Sequence, residues 1–210
     1  MSIALNLSLL AIFIPSFFVV SITPGMGMPL SLTMGMTIGV RRTFWMMAGE
    51  LIGVGLVAAA AVIGVATVML RYPLAFEIFK YIGGAYLIYL GIQMWLSRGR
   101  MAIDLDAPRH DGSTRSMLAT QGFVTAVANP KGWAFFISLL PPFINEQLPM
   151  WPQLGVLLSL ILLIEFLCLV LYASGGSTLS LFLQKSGNVR LLNRLAGTLM
   201  MGVGVWLALG

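Results

Sequence analysis

Residues 21–50 read SITPGMGMPLSLTMGMTIGVRRTFWMMAGE. An apolar run is interrupted by Thr23-Pro24-Gly25 and ends at the pair Arg41-Arg42. The next apolar run then carries an acid, Glu50. Proline removes a backbone donor and clashes with the preceding turn, and glycine loosens the backbone beyond it, so the first run reads as a helix broken partway along. Nothing before Arg41 is charged, so no basic start marks a cleavable leader, and the run is expected to stay in the mature protein.

The rest of the chain has the same character. Of its 210 residues 59% are hydrophobic and 9% charged, with mean hydropathy +0.95. A soluble domain carries about 25% charged residues. This chain cannot cover a globule with polar side chains, so lipid is its main solvent. That excludes a soluble enzyme, a secreted disulfide domain and a disordered tail. The single cysteine, Cys168, excludes an internal disulfide and a redox carrier that needs a cysteine pair. The single histidine, His110, excludes zinc sites built on two histidines.

A spanning helix needs about 20 mostly apolar residues. Candidates lie at 4–23 (continuing past the break toward 38), 43–70, 76–96, 117–140, 153–183 and 191–209. Arg98–Arg115, near the midpoint, holds seven of the nineteen charges and reads as a solvated loop, His110 included. Nine of the twelve basic residues fall after spans one, three and five: Arg41, Arg42, Arg98, Arg100, Arg109, Arg115, Lys185, Arg190 and Arg194. Cytoplasmic loops collect lysine and arginine, so these loops are expected inside and both termini outside. The same topology accounts for the net charge of +5, which in a soluble protein would have suggested nucleic acid.

The two halves share a pattern. Asn129-Pro130-Lys131-Gly132 in span four answers Thr23-Pro24-Gly25 in span one. Gly197 and Gly204 in span six answer Gly84 and Gly91 in span three. Glu165 in span five answers Glu50 in span two. Three spans per half reverse the direction of the second half. The expectation is an all-α integral membrane protein of six transmembrane helices. They form a 3+3 inverted repeat with broken helices in spans one and four: a first repeat 1–97, a cytoplasmic linker 98–115 and a second repeat 116–210. Inverted repeats with broken helices near the midplane mark transporters.

Pro24 precedes Arg41 by seventeen residues and Pro130 follows Arg115 by fifteen. At about 1.5 Å per residue both breaks lie roughly 22–26 Å from headgroup-level arginines. Glu50, Lys131 and Glu165 share that depth. A charge there costs a few kcal/mol and is kept only with a partner or a wet cavity. One plain account is a Glu50–Lys131 pair that locks the bundle, but it leaves Glu165 alone. The set instead suits a zwitterion. Helix N-termini after Pro24 and Pro130, helped by Lys131, attract a carboxylate. Glu50 or Glu165 holds an ammonium or carries a proton near neutral pH. Thr23 and Asn129 add short polar side chains.

These residues resemble the lysine exporter family, LysE, in its RhtB branch of amino-acid exporters. The matching motifs are Thr23-Pro24-Gly25-Met26, Gly39-Val40-Arg41-Arg42, Gly49-Glu50 and Asn129-Pro130-Lys131-Gly132. Phe135-Phe136 and Leu140-Pro141-Pro142-Phe143-Ile144 extend the match. Met26 stands where the family's Pro-Gly-Pro motif has its second proline. The resemblance covers nearly the whole chain and implies proton-coupled export of an amino acid or derivative from the bacterial cytoplasm. Together these observations point to substrate-binding residues Thr23, Pro24, Gly25, Glu50, Asn129, Pro130, Lys131 and Glu165. Glu50 and Glu165 are the proton-coupling pair, and the expected partners are an amino acid, protons and membrane lipid.

Other classes fit less well. A passive solute channel can also be built on two half-helices. An intramembrane hydrolase lacks a base beside a nucleophile, and a metal exporter lacks Asp, Cys and His at the site. Without a phosphate-binding loop neither ATP coupling nor a cofactor is expected. Gly49-x3-Gly53 permits close helix contact, within one chain or in a homodimer. The fourteen methionines read mostly as packing filler. Trp95, Trp151 and Trp206 read as interface anchors, and Trp133 as a residue able to line the cavity.

Overall fold

The computed structural model describes residues 7–71, 73–97, 113–140, 143–144 and 148–209. The chain forms α1 (Leu7–Ile22), α2 (Gly27–Thr37), α3 (Val40–Arg71), α4 (Pro73–Leu96), α5 (Arg115–Val127), α6 (Pro130–Leu139), α7 (Met150–Gln184) and α8 (Ser186–Leu209). The charged loop with His110 lies outside the described residues.

Local chemistry sets these boundaries. α1 stops before Pro24 and α2 restarts at Gly27, with a bend of 56° between them. Gly39, in the left-handed region at φ 81°, turns the chain from α2 into α3. Thr114 caps α5 by accepting the Met117 N–H at 3.3 Å. Asn129 caps α6, and Pro130 takes the first helical position, where a missing N–H costs nothing. Gly176, at φ 49°, interrupts α7 near its end.

Two described stretches, Val40–Gly64 and Met150–Gly176, are long and apolar enough to cross a membrane. The bent α1–α2 pair makes a third if it counts as one span. Leu163, Leu167 and Leu171 form an exposed stripe along α7, and Ile52, Leu56 and Ile63 stand exposed on α3. Apolar faces of this breadth suit hydrocarbon rather than water.

Glycine sets the closest helix contacts. On α4 and α8, Gly84 faces Gly204 and Gly91 faces Gly197, so the two helices run antiparallel. A Cβ on Gly91 would lie 2.6 Å from the Gly197 carbonyl oxygen, and one on Gly197 would lie 2.5 Å from that of Gly91. At one end the Trp95 indole donates to the Thr198 hydroxyl at 3.0 Å, beneath the Arg194 guanidinium at 4.7 Å. On α3 and α5, Cβ atoms on Gly49 or Gly122 would collide with the partner backbone. The Gly49-x3-Gly53 face is therefore filled within one chain, by α5. On α2 and α7, Gly35 lies against Ala173, and the Ser31 hydroxyl donates to the Leu169 carbonyl at 2.9 Å. The shared offset makes that pair parallel.

Aromatic rings join α1 to α6. Phe17 lies 5.5 Å from Phe135 and 6.1 Å from Phe136, centroid to centroid. These contacts bring the Pro24 break together with α3, α6 and α7.

Candidate functional site

α1 ends at Ile22 because Pro24 cannot continue it, which strips its last carbonyls of intrahelical partners. Side chains from later in the chain take them up. The Lys131 ammonium donates to the Val20 carbonyl at 2.9 Å and the Thr23 carbonyl at 3.3 Å. The Tyr172 hydroxyl donates to the Ile22 carbonyl at 2.7 Å. Within the last turn of α1, the Ser21 hydroxyl donates to a carboxylate oxygen of Glu165. Residues from α6 and α7 thus hold the end of α1.

The other side of the break is different. Met26 occupies the N-cap position of α2, and its side chain makes no capping bond. Pro29 has no N–H, so Gly27 and Met28 carry the donors of the first turn. The carboxyl group of Glu50 lies against Gly27, where any Cβ would overlap it. Glu50 is 3% exposed, and its Oε2 has no hydrogen-bond partner among the described residues.

The second break is shorter and closed. The Asn129 side-chain oxygen accepts the Lys131 N–H at 3.1 Å. The Trp133 indole donates to the Val127 carbonyl at 2.8 Å. Trp133 therefore ties down the end of α5 instead of lining the cavity.

One cavity gathers most of the residues expected from sequence. Thr23, Gly25, Glu50, Asn129, Lys131 and Glu165 all line it, whereas Pro24 and Pro130 shape the breaks without lining it. Two of the polar side chains are already committed. The Thr23 hydroxyl donates back to the Val19 carbonyl at 2.6 Å, and Asn129 caps α6. Phe17, Phe135 and Phe136 supply an apolar wall. Lys131 is held by the Val20 and Thr23 carbonyls and Glu50 Oε2 has no partner among the described residues, so the Glu50–Lys131 lock weighed from sequence does not form. Among the described residues no cluster of three or more His, Cys, Asp or Glu side chains is placed to hold a metal ion.

Three contributors escape a reading of the sequence: Ser21, Tyr172 and Gly27. Ser21 and Tyr172 carry no short-range signal, because their roles depend on how α1 packs on α7. Gly27 carries one, as a glycine shortly after the break, but Gly25 stands closer to the proline and draws the attention.

Comparison with known proteins places this architecture. The LysE type translocator family matches residues 18–210. A homoserine/homoserine lactone efflux protein of Salmonella typhimurium is 32% identical over 188 residues, covering 90% of each chain. An uncharacterized membrane protein of Vibrio cholerae is 30% identical over 190 residues, covering 90% of this chain and 91% of its own. A leucine efflux protein of an Enterobacter species is 28% identical over 197 residues, covering 92% of this chain and 91% of its own. No solved structure matches the chain. With the family match running from within α1 to the last residue, the chain belongs to the LysE type translocator family.

Proposed function

We propose that this protein is a secondary transporter that exports a small amino acid or derivative from the bacterial cytoplasm across the inner membrane by proton antiport. The observation that carries the reading is the convergence of two carboxyl groups and an ammonium on one cavity at a broken helix. Relatives named for homoserine and leucine efflux support the substrate class. The three phenylalanines in the wall favour an aliphatic side chain, because apolar surface is what such a pocket desolvates well.

The architecture behind the mechanism is six spans in two inverted halves, 1–97 and 116–210, joined by a cytoplasmic loop at 98–115, with both termini outside. The antiparallel glycine contact between α4 and α8 is what two oppositely oriented halves would make. Facing inward, a deprotonated Glu50 or Glu165 binds the substrate ammonium. Thr23, Pro24, Gly25, Asn129, Pro130 and Lys131 shape the rest of the site. The halves rock, the site opens outward, and an entering proton displaces the substrate.

Efflux from proteoliposomes tests this reading. Vesicles loaded with labelled leucine or homoserine should empty faster with acid outside, saturate, and show trans-stimulation. Glu50→Gln, Glu165→Gln and Lys131→Met should lower proton-driven efflux at least about tenfold, the scale of losing one charged contact. Wild-type rates in all three variants would refute the mechanism, and flux without saturation or trans-stimulation would make the protein a channel.

A further inference from the structure

The broken first span presents two opposite electrical ends to one cavity. The C-terminal end of α1 offers free carbonyls and the negative end of a helix dipole. The N-terminal end of α2 offers free N–H groups and the positive end. Each end is met by a side chain of complementary charge. Lys131 donates its ammonium to the Val20 and Thr23 carbonyls at 2.9 and 3.3 Å. Glu50 lays its carboxyl against Gly27 at the start of α2, and no side chain caps that end at Met26. Lys131 Nζ comes within 3.9 Å of where a Cβ on Gly25 would stand. The two charges therefore meet one linker two residues apart, at Gly25 and Gly27, at most about 7 Å of chain. The ammonium nitrogen and carboxylate carbon of an α-amino acid are about 2.5 Å apart, and one hydrogen bond of about 2.9 Å at each end lets them bridge two poles so placed.

The Glu50 carboxyl is nonetheless poorly served. It is buried to 3% exposure and leaves Oε2 without a partner among the described residues. A buried oxygen of this kind is costly. A well-built permanent cap would satisfy both oxygens.

We propose that the two ends of the broken first span are the two poles of the substrate site. The α2 N-terminus takes an amino acid's carboxylate, and the carbonyls of Val20 in α1 and of Thr23 just beyond it take its ammonium beside Glu165. Glu50 and Lys131 hold those poles while substrate is absent. The inference rests on the amino-acid export reading and refines it. An entering amino acid replaces two charges of the protein with its own, and the displaced Glu50 and Lys131 side chains turn into the cavity they line. Glu165, which Ser21 fixes at the ammonium pole, remains the acid on which proton and substrate compete.

Equilibrium binding to the purified full-length chain tests this. Wild type is screened against the twenty amino acids and homoserine. The tightest binder is then compared with its decarboxylated amine and its deaminated acid on Lys131→Met and Glu50→Gln. Removing a placeholder raises the fraction of sites open to ligand. Lys131→Met should therefore bind the amino acid and the amine about three- to tenfold more tightly, with no gain for the acid. Glu50→Gln should do the mirror image, favouring the amino acid and the acid. The two variants are read separately, so a folding failure in one leaves the other decisive. Unchanged or weaker amino-acid binding in a folded variant overturns the inference while export stands. If wild type binds none of the twenty-one compounds the inference falls, and the export reading falls with it only when proteoliposomes also show no efflux of an amino acid or derivative.

Discussion

The two helix breaks use the same residues to different ends. Both place a proline just after the interruption begins and a glycine within two residues of that proline. At the second break, Asn129 caps α6 and the Trp133 indole closes α5, so the break satisfies itself with local side chains. At the first break, Met26 leaves α2 uncapped, and the carbonyls of α1 depend on Lys131 and Tyr172, each far along the chain. A break that caps itself is a corner of the scaffold. A break whose ends are served by charged groups from elsewhere has no local cap to hold it shut, and in the two-pole site proposed above those groups give way to a ligand.

The largest effect that separates the two comes from adding one methyl group at each. Gly27→Ala places a Cβ into the Glu50 carboxyl, whereas a Cβ at Gly132 meets only the Phe136 ring, at 3.9 Å. The Glu50 side chain can swing aside, but the substrate carboxylate proposed to take its place would meet the same Cβ, and overpacking a tight site costs about 1–3 kcal/mol, roughly five- to hundredfold in binding. Gly27→Ala should therefore lower counterflow of the transported amino acid by that factor, and Gly132→Ala by no more than about twofold. Rates from proteoliposomes with matched insertion decide it. Equal losses at both positions would erase the distinction between the breaks.

Sequence reveals the elements better than their partners. The helix starts and stops follow local rules: a proline that cannot continue a helix, a glycine at positive φ, an asparagine before a proline. Both breaks are legible for that reason. Glu50, Lys131 and Glu165 are legible as a group because a charge in an apolar run demands company. Their pairing is not. Whether Lys131 meets Glu50 or Glu165 depends on the rotation of α6 against α1, and no spacing encodes that. Asn129 is readable as a cap from its place before Pro130, yet its polar side chain invites a ligand role. Gly49 announces a close contact without naming α5. Ser21 and Tyr172 look like ordinary residues of apolar helices until the packing of α1 and α2 on α7 carries them to the break.

Exchanging capping chemistry between the breaks has a smaller effect. Asn129→Ala removes the α6 cap and should cost about 1 kcal/mol, lowering the unfolding midpoint in detergent by roughly 2–4 °C for a chain of this size. The same asparagine does not cap α2, because Met26 stands in the right-handed helical region at φ −80° and ψ −38° whereas Asn129 is extended. Met26→Asn should therefore leave the midpoint within about 0.5 kcal/mol of wild type. If Asn129→Ala impaired amino-acid binding as strongly as it lowers the midpoint, the second break would share the ligand role proposed for the first.

Tyr172→Phe should produce the smallest shift and the most local one. It deletes the bond from the Tyr172 hydroxyl to the Ile22 carbonyl and nothing else of comparable strength. A single neutral hydrogen bond contributes about 0.5–1.5 kcal/mol net. The carbonyl it leaves lies at a helix end, one residue from cavity-lining Thr23, where water can replace the phenol in part. The unfolding midpoint should accordingly fall by no more than it does in Asn129→Ala. Amide exchange separates the breaks more sharply than stability does. Because α1 leans on α7 for its last carbonyls, exchange at residues 23–30 should accelerate several-fold in Tyr172→Phe. Residues 128–135 have local caps and should exchange at the wild-type rate. Acceleration at both breaks would mean that they open as one unit, and the second would then share in substrate entry instead of serving as the fixed corner against which the first one moves.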